Sequence, residues 1–306
     1  MSAATETVRS AAGAPDRPFP VRRRGRLSLR GRAVRIVLHV VVVAFMIIWF
    51  TPVMALFVSS IRTQSDMGAT GWWHVFIAPL LTGYNFQQAL NLVGVGGGAA
   101  TSLGIAIPVT VMTVVLSAVG AYALTRMQFA ARTMISLFLV AVLVIPPQVT
   151  IVPLLRLFVI VGLNGTIPAV WIYQVGFTVP FGIFLIRGFI ASMPEELFES
   201  AAVDGASPLR TFRSIVLPLC APVLASLAIL QFLWSWNDLL IPLIFLGGSQ
   251  LPPPITVQAA AVATSNGQDI TVLMAATFLS VLLPLVVLLS LQRFFVRGIL
   301  GGAVKG

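Results

Sequence analysis

Charged residues and cysteine are scarce in this sequence. Only 9% of its 306 residues are charged and 58% are hydrophobic, whereas a typical soluble domain has about 25% charged residues. This scarcity excludes an ordinary soluble domain and indicates an integral membrane protein. The single cysteine, Cys220, excludes an internal disulfide, and without a CxxC or Cys/His spacing it offers no metal or redox site.

The motifs of several enzyme classes are also missing. The chain has no GxxxxGK(S/T) phosphate loop, so it does not hydrolyse ATP by that mechanism. It has no HExxH motif, and its two histidines, His39 and His74, have no evident partners in the sequence. We therefore expect no catalytic residue, no metal site and no cofactor in this chain.

Long apolar runs make up most of the chain. A membrane-spanning helix needs roughly 20 predominantly apolar residues, and six runs meet this length. Several contain proline, so we expect kinked helices whose freed carbonyls are satisfied by neighbouring helices or water. The prediction is an all-α membrane protein, with a disordered basic tail over residues 1–33 and one six-helix domain over residues 34–306. The predicted spans are residues 36–59, 101–124, 134–156, 167–188, 219–246 and 271–292.

Basic residues are divided unevenly between the two sides of these spans. The net charge is +10, and nine of the 19 basic residues precede residue 36, where they favour anionic lipid headgroups over nucleic acid. Seventeen basic residues lie on one side and two, Arg62 and Arg156, on the other. Because cytoplasmic loops carry the excess of Lys and Arg, we expect both termini in the cytoplasm. Trp72 and Trp73 of the outer loop are interpreted as interfacial anchors, with contact to an external partner as the alternative.

A polar island interrupts the apolar runs at residues 194–218. It holds four of the nine acidic residues, and the charge distribution places it in the cytoplasm. Ser192 and Glu195, with a proline between them, have the spacing of a capping box, which predicts a helix over about 194–203. Gly205 is then expected to end this helix in the left-handed conformation.

A second helix of the island is predicted by the same reasoning. Ser207 supplies a hydroxyl cap and Pro208 occupies the first helical position. The predicted apolar stripe of this helix is Leu209, Phe212 and Val216, and the predicted basic side is Arg210 and Arg213. The expected element is a helix, a glycine turn and a helix outside the bilayer, which indicates a docking surface.

The spacing across the island resembles the EAA motif of ABC-importer permeases, in which E-A-A is followed by G after three residues and by I-x-L-P after nine more. The matching residues are Glu199, Ser200, Ala201, Gly205, Ile215, Leu217 and Pro218. Only Ser200 departs from the motif, at a position that is usually alanine. The segments FLWSWNDLLIPLIFL and QRFFVRGILGGAVKG extend the resemblance over roughly residues 34–306. They are similar to the carbohydrate class of these permeases, in particular to the maltose-permease G-type subunits.

This resemblance implies a type I ABC-importer permease fold with a cytoplasmic coupling helix in the loop 190–218. It also implies a second homologous permease subunit, two copies of a cytoplasmic ATPase that uses ATP and Mg²⁺, and an extracytoplasmic solute-binding protein, in a bacterial plasma membrane. The implied ATPase-coupling residues are Glu199, Ser200, Ala201, Asp204 and Gly205, with a second ATPase contact at Lys305 and Gly306.

The predicted fifth span combines aromatic and hydrogen-bonding side chains. Polar groups at membrane depth usually face a cavity or a partner helix, and aromatic faces beside an amide and a carboxylate suit a sugar. Packing between helices is the rival interpretation, and both stay open. The candidate pathway residues are Trp234, Trp236, Asn237 and Asp238, with Gln148, Gln174 and Gln231 as further candidates.

An ion-coupled secondary transporter is the alternative function. Such proteins commonly carry ionisable groups within their spans and internal repeats, whereas the spans here hold Asp238 and, near one end, Arg156. A scaffold protein would explain a docking hairpin but not the resemblance along most of the chain. We therefore expect the permease subunit of a binding-protein-dependent sugar importer, and the sequence does not identify the sugar.

Overall fold

The structure is a computed structural model that describes residues 29–91, 94–264 and 270–303. The described residues are predominantly α-helical, with a 3-10 turn at Trp72–Phe76 and a π-helical turn at Phe212–Val216. The α-helices are α1 Leu29–Ser60, α2 Gln64–Thr70, α3 Tyr84–Asn91, α4 Val95–Arg126, α5 Arg132–Val144, α6 Pro147–Ile160, α7 Ile167–Ala191, α8 Glu196–Val203, α9 Pro208–Thr211, α10 Leu217–Asn237, α11 Leu240–Phe245, α12 Ile255–Thr264 and α13 Ile270–Ala303.

The chain divides into two compact units, residues 1–52 and 53–306. The described part of the first unit is residues 29–52 of α1, where large apolar side chains such as Ile36 and Trp49 are exposed. The sequence predicts a disordered tail over residues 1–33, but residues 29–33 are helical, because leucine, arginine and alanine favour helix. The rest of the predicted tail lies outside the described residues.

Five of the six predicted spans coincide, wholly or in large part, with long apolar helices in the described part of the chain. The third prediction, 134–156, is instead two helices, α5 and α6, bent by 104°. Ile145 and Pro146 each precede a proline and are extended, with ψ of 121° and 124°, since a following proline disfavours the α region. The bent pair is the sixth span only if it is counted as one. The five long apolar helices are Ala33–Ser60, Val95–Arg126, Ile167–Ala191, Pro208–Asn237 and Ile270–Gln292.

The predicted fifth span, 219–246, also differs from the structure. Its helix ends at Asn237 because Asp238 is extended, with ψ of 121°. The carboxylate of Asp238 accepts a hydrogen bond from the backbone N–H of Ile241 at 3.2 Å, which supports the start of α11. The polar residue that the sequence places inside a span therefore lies at a break between two helices.

The predicted outer loop is largely helical and is organised around Arg62. The Arg62 side chain is buried, and its guanidinium donates to the Thr70 hydroxyl at 3.0 Å and to the Gly71 carbonyl. The Asn85 amide donates to the carbonyls of Ser60 and Arg62 at 2.9 and 2.7 Å. These bonds tie α2 and α3 to the end of α1 within the second unit.

Helices α4, α7 and α10 pack against one another in the second unit, and α10 also packs against α13. Gly182 of α7 allows this close approach. A Cβ added there would lie 2.8 Å from Cβ of Ser117 on α4 and 2.9 Å from Cδ2 of Leu227 on α10. Small residues at such crossings let helix backbones approach closely in membrane proteins. The three helices therefore form one tightly packed core.

Gly182→Ala is expected to destabilise the fold by about 1–3 kcal/mol, the usual cost of overpacking. Thermal unfolding of the purified protein in detergent should show this as a lower midpoint. Gly188→Ala is the matched control, because Gly188 lies on the same helix with no atom within 4 Å of the added Cβ. Equal midpoints for the two variants would contradict the tight contact at Gly182.

Candidate functional site

The polar island forms a hairpin, defined here as residues 194–216. Its first helix, α8, begins at Glu196 rather than at 194, and the predicted capping box is wrong. The Ser192 hydroxyl donates to the carbonyl of Phe189 at 2.8 Å, and Glu195, the residue before α8, makes no side-chain cap. Instead the Glu195 carboxylate accepts from Nη1 of Arg126, at 2.9 and 2.7 Å from its two oxygens. The carboxylate that the capping box requires is therefore paired with Arg126, which is distant in the sequence.

The glycine turn of the hairpin is as predicted. Gly205 has φ of +68°, in the region that glycine adopts without steric cost. Its N–H donates to the carbonyl of Ala202 at 3.1 Å, and the N–H of Ala206 donates to the carbonyl of Ala201 at 2.9 Å. This pair of bonds is the Schellman motif, which satisfies carbonyls left free at a helix end.

The second arm of the hairpin is continuous with a long apolar helix. The hydroxyl of Ser207 accepts from the N–H of Arg210 at 3.4 Å, and Pro208 occupies the first turn, as predicted. A π-helical turn then leads directly into α10, and the N–H of Leu217 bonds back to the carbonyl of Phe212. Pro218 has no N–H and would clash with a carbonyl four residues back in a regular α-helix. The wider turn just before it relieves that conflict.

The predicted apolar stripe of the second arm is only partly buried. Val216 is buried and Phe212 packs against the core cluster between α4, α7 and α10, but Leu209 is 56% exposed. The stripe therefore packs against the core at Phe212 and Val216 and is exposed at Leu209.

The tip of the hairpin presents a surface of polar and small residues. Glu199, Ser200, Asp204 and Gly205 are exposed, and the apolar side chain of Val203 is 87% exposed. Ala201 is buried at 6% exposure. It lies in a depression of about 180 Å³ between the two arms, whose other lining residues are Ser200, Asp204, Ala206, Arg210, Thr211, Ser214 and Ile215.

A second candidate site is a pocket of about 430 Å³ at the breaks after α5 and α10. Its volume is in the range of small-molecule sites, and like them it combines aromatic walls with a few polar groups. Of the predicted residues, Gln174, Trp234, Asp238 and Gln148 line it. The sequence reasoning missed its other lining residues, Pro147, Tyr173, Phe177, Thr178, Leu240 and Ile241.

Gln174 connects the polar groups at this pocket. Its amide nitrogen donates to a carboxylate oxygen of Asp238 at 2.8 Å, and its amide oxygen accepts from the Ser235 hydroxyl at 2.6 Å. The other carboxylate oxygen of Asp238 accepts from the N–H of Ile241. Gln174 thus links α7 to the end of α10, and the carboxylate has a fixed orientation beside the cavity.

The remaining predicted pathway residues do not line the pocket. Trp236 is only 2% exposed, stacks on Phe232 and donates to the carbonyl of Ser280 at 2.9 Å, so it packs α10 against α13. Asn237 is exposed and bonds to the carbonyl of Leu233 within its own helix. Gln231 is buried outside the pocket. Trp234 and Trp236 are two residues apart, or about 200° around the helix, so one lies on the pocket-lining face and the other on the packing face, which the run of polar and aromatic residues did not reveal.

Lys305 and Gly306 lie outside the described residues, so their predicted contact stays a prediction. The helix that precedes them, α13, ends at Ala303.

Comparison with known proteins gives a family match over most of the second unit. Residues 114–301 match the family described as binding-protein-dependent transport system inner membrane component. The chain is 42% identical over 272 residues to an osmoprotective compounds uptake permease protein of Synechocystis sp., covering 88% of this chain and 91% of the relative. It is 38% identical to an alpha-glucoside transport system permease protein of Rhizobium meliloti, with 81% and 67% covered. It is 31% identical to a melibiose/raffinose/stachyose import permease protein of Bacillus subtilis, with 84% and 92% covered.

The fold is similar to that of a solved membrane transporter. A chain in the crystal structure of a bacterial ABC transporter involved in the import of the acidic polysaccharide alginate superposes with a TM-score of 0.64 at 14% identity. The similarity covers 88% of this chain and 96% of that chain. A second structure of a bacterial alginate ABC transporter, in complex with an alginate pentasaccharide-bound periplasmic protein, gives a TM-score of 0.58 at 16% identity, with 86% and 94% covered. At these identities the similarity concerns the fold alone.

Proposed function

Because this chain belongs to the family of binding-protein-dependent transport system inner membrane components, we propose that it is the permease subunit of an ATP-driven sugar importer. It forms one half of a translocation pathway and draws its energy from a separate ATPase. Two of the relatives are named for alpha-glucosides and for melibiose, raffinose and stachyose, which supports a sugar as the solute. The observation that carries the proposal is an exposed hairpin continuous with a long apolar helix, in a chain without a phosphate loop.

The proposed assembly places this subunit in a bacterial plasma membrane with both termini in the cytoplasm. The excess of basic residues on the hairpin side supports that orientation. Its partners are a second homologous permease subunit, two cytoplasmic ATPase copies that bind ATP and Mg²⁺, and an extracytoplasmic solute-binding protein. Lipid headgroups contact the basic segment near the first helix.

The tip of the hairpin, residues 199–205, is the proposed docking surface for the ATPase. Glu199, Ser200, Asp204 and Gly205 are exposed at its tip and are available to donors and close backbone contacts from the partner, while Ala201 shapes the depression behind them. The π-helical turn carries a displacement of the hairpin into α10. Closure of the ATPase on ATP then biases the packed helices between two arrangements, which is the expected form of gating.

The pocket beside Asp238 is the proposed part of the solute pathway. Trp234 is 48% exposed and its ring contacts that of Phe181 at a centroid distance of 5.4 Å, so one face of an aromatic wall is available to the apolar C–H face of a sugar. Gln148, Gln174, Thr178 and the Asp238 carboxylate supply partners for hydroxyl groups.

An ion-coupled secondary transporter is the alternative, and Asp238 is its best site. Both carboxylate oxygens of Asp238 already accept hydrogen bonds from the protein, which favours a structural and solute-contacting role over cycles of ion release. Uptake by the assembled complex in proteoliposomes should require ATP and persist when ion gradients are collapsed. Uptake driven by an ion gradient without ATP would support the alternative.

Gly205→Val is expected to leave the subunit in the membrane and to uncouple it. A β-branched residue at φ of +68° costs about 1–2 kcal/mol, and every 1.4 kcal/mol is about tenfold in an equilibrium. We therefore expect ATP-driven uptake to fall about tenfold. Gly205→Asn is the matched control, because asparagine tolerates the left-handed region and no atom within 4 Å blocks a Cβ. Normal uptake by the valine variant would contradict the coupling role of the turn.

Trp234→Ala and Trp236→Ala are expected to lower transport for different reasons. Loss of the Trp234 ring at the pocket should lower the uptake rate at saturating binding protein while the amount of folded subunit stays normal. Loss of the buried Trp236 ring should lower the amount of folded subunit instead, since burying an aromatic side chain contributes about 3–5 kcal/mol to stability. Quantitative immunoblots of membranes, together with uptake assays, separate the two effects. Unchanged uptake in both Trp234→Ala and Asp238→Asn would favour the packing interpretation.

We also propose that the C-terminal residues after Ala303 contact the ATPase. Deletion of 304–306 should reduce co-purification of the ATPase with the permease, or the stimulation of ATP hydrolysis by loaded binding protein. The proposal depends on the resemblance of this tail, with Lys305 and Gly306, to that of the maltose-type subunits. Full co-purification and full stimulation after the deletion would count against it.

A further inference from the structure

Arg126, the last residue of α4, holds the first arm of the hairpin. Its Nη1 lies 2.9 and 2.7 Å from the two carboxylate oxygens of Glu195, and its guanidinium carbon lies 3.3 Å from the centroid of the Phe198 ring. Glu195 and Phe198 are three residues apart, so they lie on one side of the start of α8. The arginine is thus enclosed between a carboxylate and an aromatic face, and its side chain is only 19% exposed.

A second arginine leaves Arg126 free for this contact. The last carbonyls of an α-helix have no partner within the helix, and an arginine in the last turn would commonly bond to them. At the end of α4 that role belongs to Arg132, which donates to the carbonyls of Leu124 and Thr125 at 2.9 and 3.4 Å. Arg126 therefore extends away from its own helix towards the hairpin.

The same face of α4 also holds the second arm. Tyr122 lies one helical turn before Arg126, and residues four apart share a helix face. The Tyr122 hydroxyl donates to the carbonyl of Pro208 at 3.0 Å, and its ring contacts the ring of Phe212 at a centroid distance of 5.2 Å. One face of α4 thus contacts both arms of the hairpin, on either side of the Gly205 turn.

We propose that Arg126 is a positioning residue that fixes the hairpin to α4, so that a displacement of the docking surface moves α4 together with α10. The inference rests on the proposed function, because it concerns how the ATPase drives the transmembrane helices. Without the contact at Arg126, the first arm is held only by its chain connections to α7 and, through the second arm, to α10, and it could change its orientation relative to α4. With the contact at Arg126, the hairpin, α4 and α10 move as one body.

The contact serves orientation more than stability. Glu195 is 64% exposed, and ion pairs of such exposure contribute little to the free energy of folding. The hairpin keeps its connections to α7 and α10 without the pair, and the Tyr122 contacts to the second arm remain. Variants at Arg126 and Glu195 are therefore expected to fold and to bind the ATPase while the first arm loses its fixed orientation.

Charge reversal of the pair tests this inference in the assembled complex, reconstituted in proteoliposomes. Arg126→Glu and Glu195→Arg should each lower uptake per ATP hydrolysed by about threefold to tenfold, the range expected for one ion pair with its aromatic contact. Co-purification with the ATPase should be unchanged. The double variant R126E/E195R should recover about half or more of the loss. The probe is whichever of radiolabelled maltose, trehalose, sucrose or melibiose the wild-type complex takes up fastest.

Glu196→Arg is the matched control, because it makes the same charge change one residue away. The side chain of Glu196 is exposed and makes no hydrogen bond or ion pair in the described part of the chain. The Glu196→Arg variant should keep the wild-type ratio of uptake to ATP hydrolysis. Wild-type ratios in both single variants, or no recovery in the double variant, would overturn the proposal.

Hydrogen exchange of the hairpin amides separates this inference from the proposed function. In the purified permease, amides of residues 196–206 should exchange about threefold to tenfold faster in each single variant, and the double variant and Glu196→Arg should stay closer to wild type. Faster exchange with no uptake of any probe by the wild type would support the contact and count against the proposed function. Unchanged exchange in the single variants overturns the contact itself.

Discussion

The close contact of Gly182 with Ser117 and Leu227 sets the distances on which the other features depend. It brings α7 against both α4 and α10, so that the ends of these helices meet in fixed positions. At one end the hairpin lies within reach of Tyr122 and Arg126. At the other, Gln174 of α7 reaches Asp238 beyond α10. A wider spacing between the helices would separate both sets of side chains, because hydrogen bonds tolerate only a few tenths of an ångström.

The pocket is a product of broken helices. In a bilayer, backbone N–H and C=O groups must be paired within the protein, and irregular backbone is tolerated only where protein or a water-filled cavity surrounds it. The chain breaks its helical pairing at Ile145–Pro147 and again at Asp238, and both breaks border the same cavity. Asp238 compensates part of the loss by accepting the N–H of Ile241. The Asp238 carboxylate thus compensates for interrupted backbone hydrogen bonding, whether or not it also contacts a solute.

Local features of the fold were predictable from the sequence, and features that depend on distant partners were not. The Gly205 turn and the Ser207 cap follow from a few adjacent residues, and both are confirmed. The capping box at Ser192 failed because Arg126, 69 residues from Glu195, competes for the carboxylate. Likewise Trp234 and Trp236 look alike in sequence but occupy different helix faces. The lengths of the apolar runs predicted where the spans lie, but they did not distinguish a continuous helix from one that is interrupted at a Pro-Pro pair.

The π-helical turn at Phe212–Val216 also has a consequence for angular register. Each residue of a regular α-helix turns the chain by about 100°, and a π turn holds one residue more than an α turn without lengthening the helix in proportion. The turn therefore sets the azimuth of the hairpin about the axis of α10 independently of the face that α10 presents to its neighbours. The second arm of the hairpin thus continues the axis of α10 with its own angular phase, set by one extra residue in the turn that joins them.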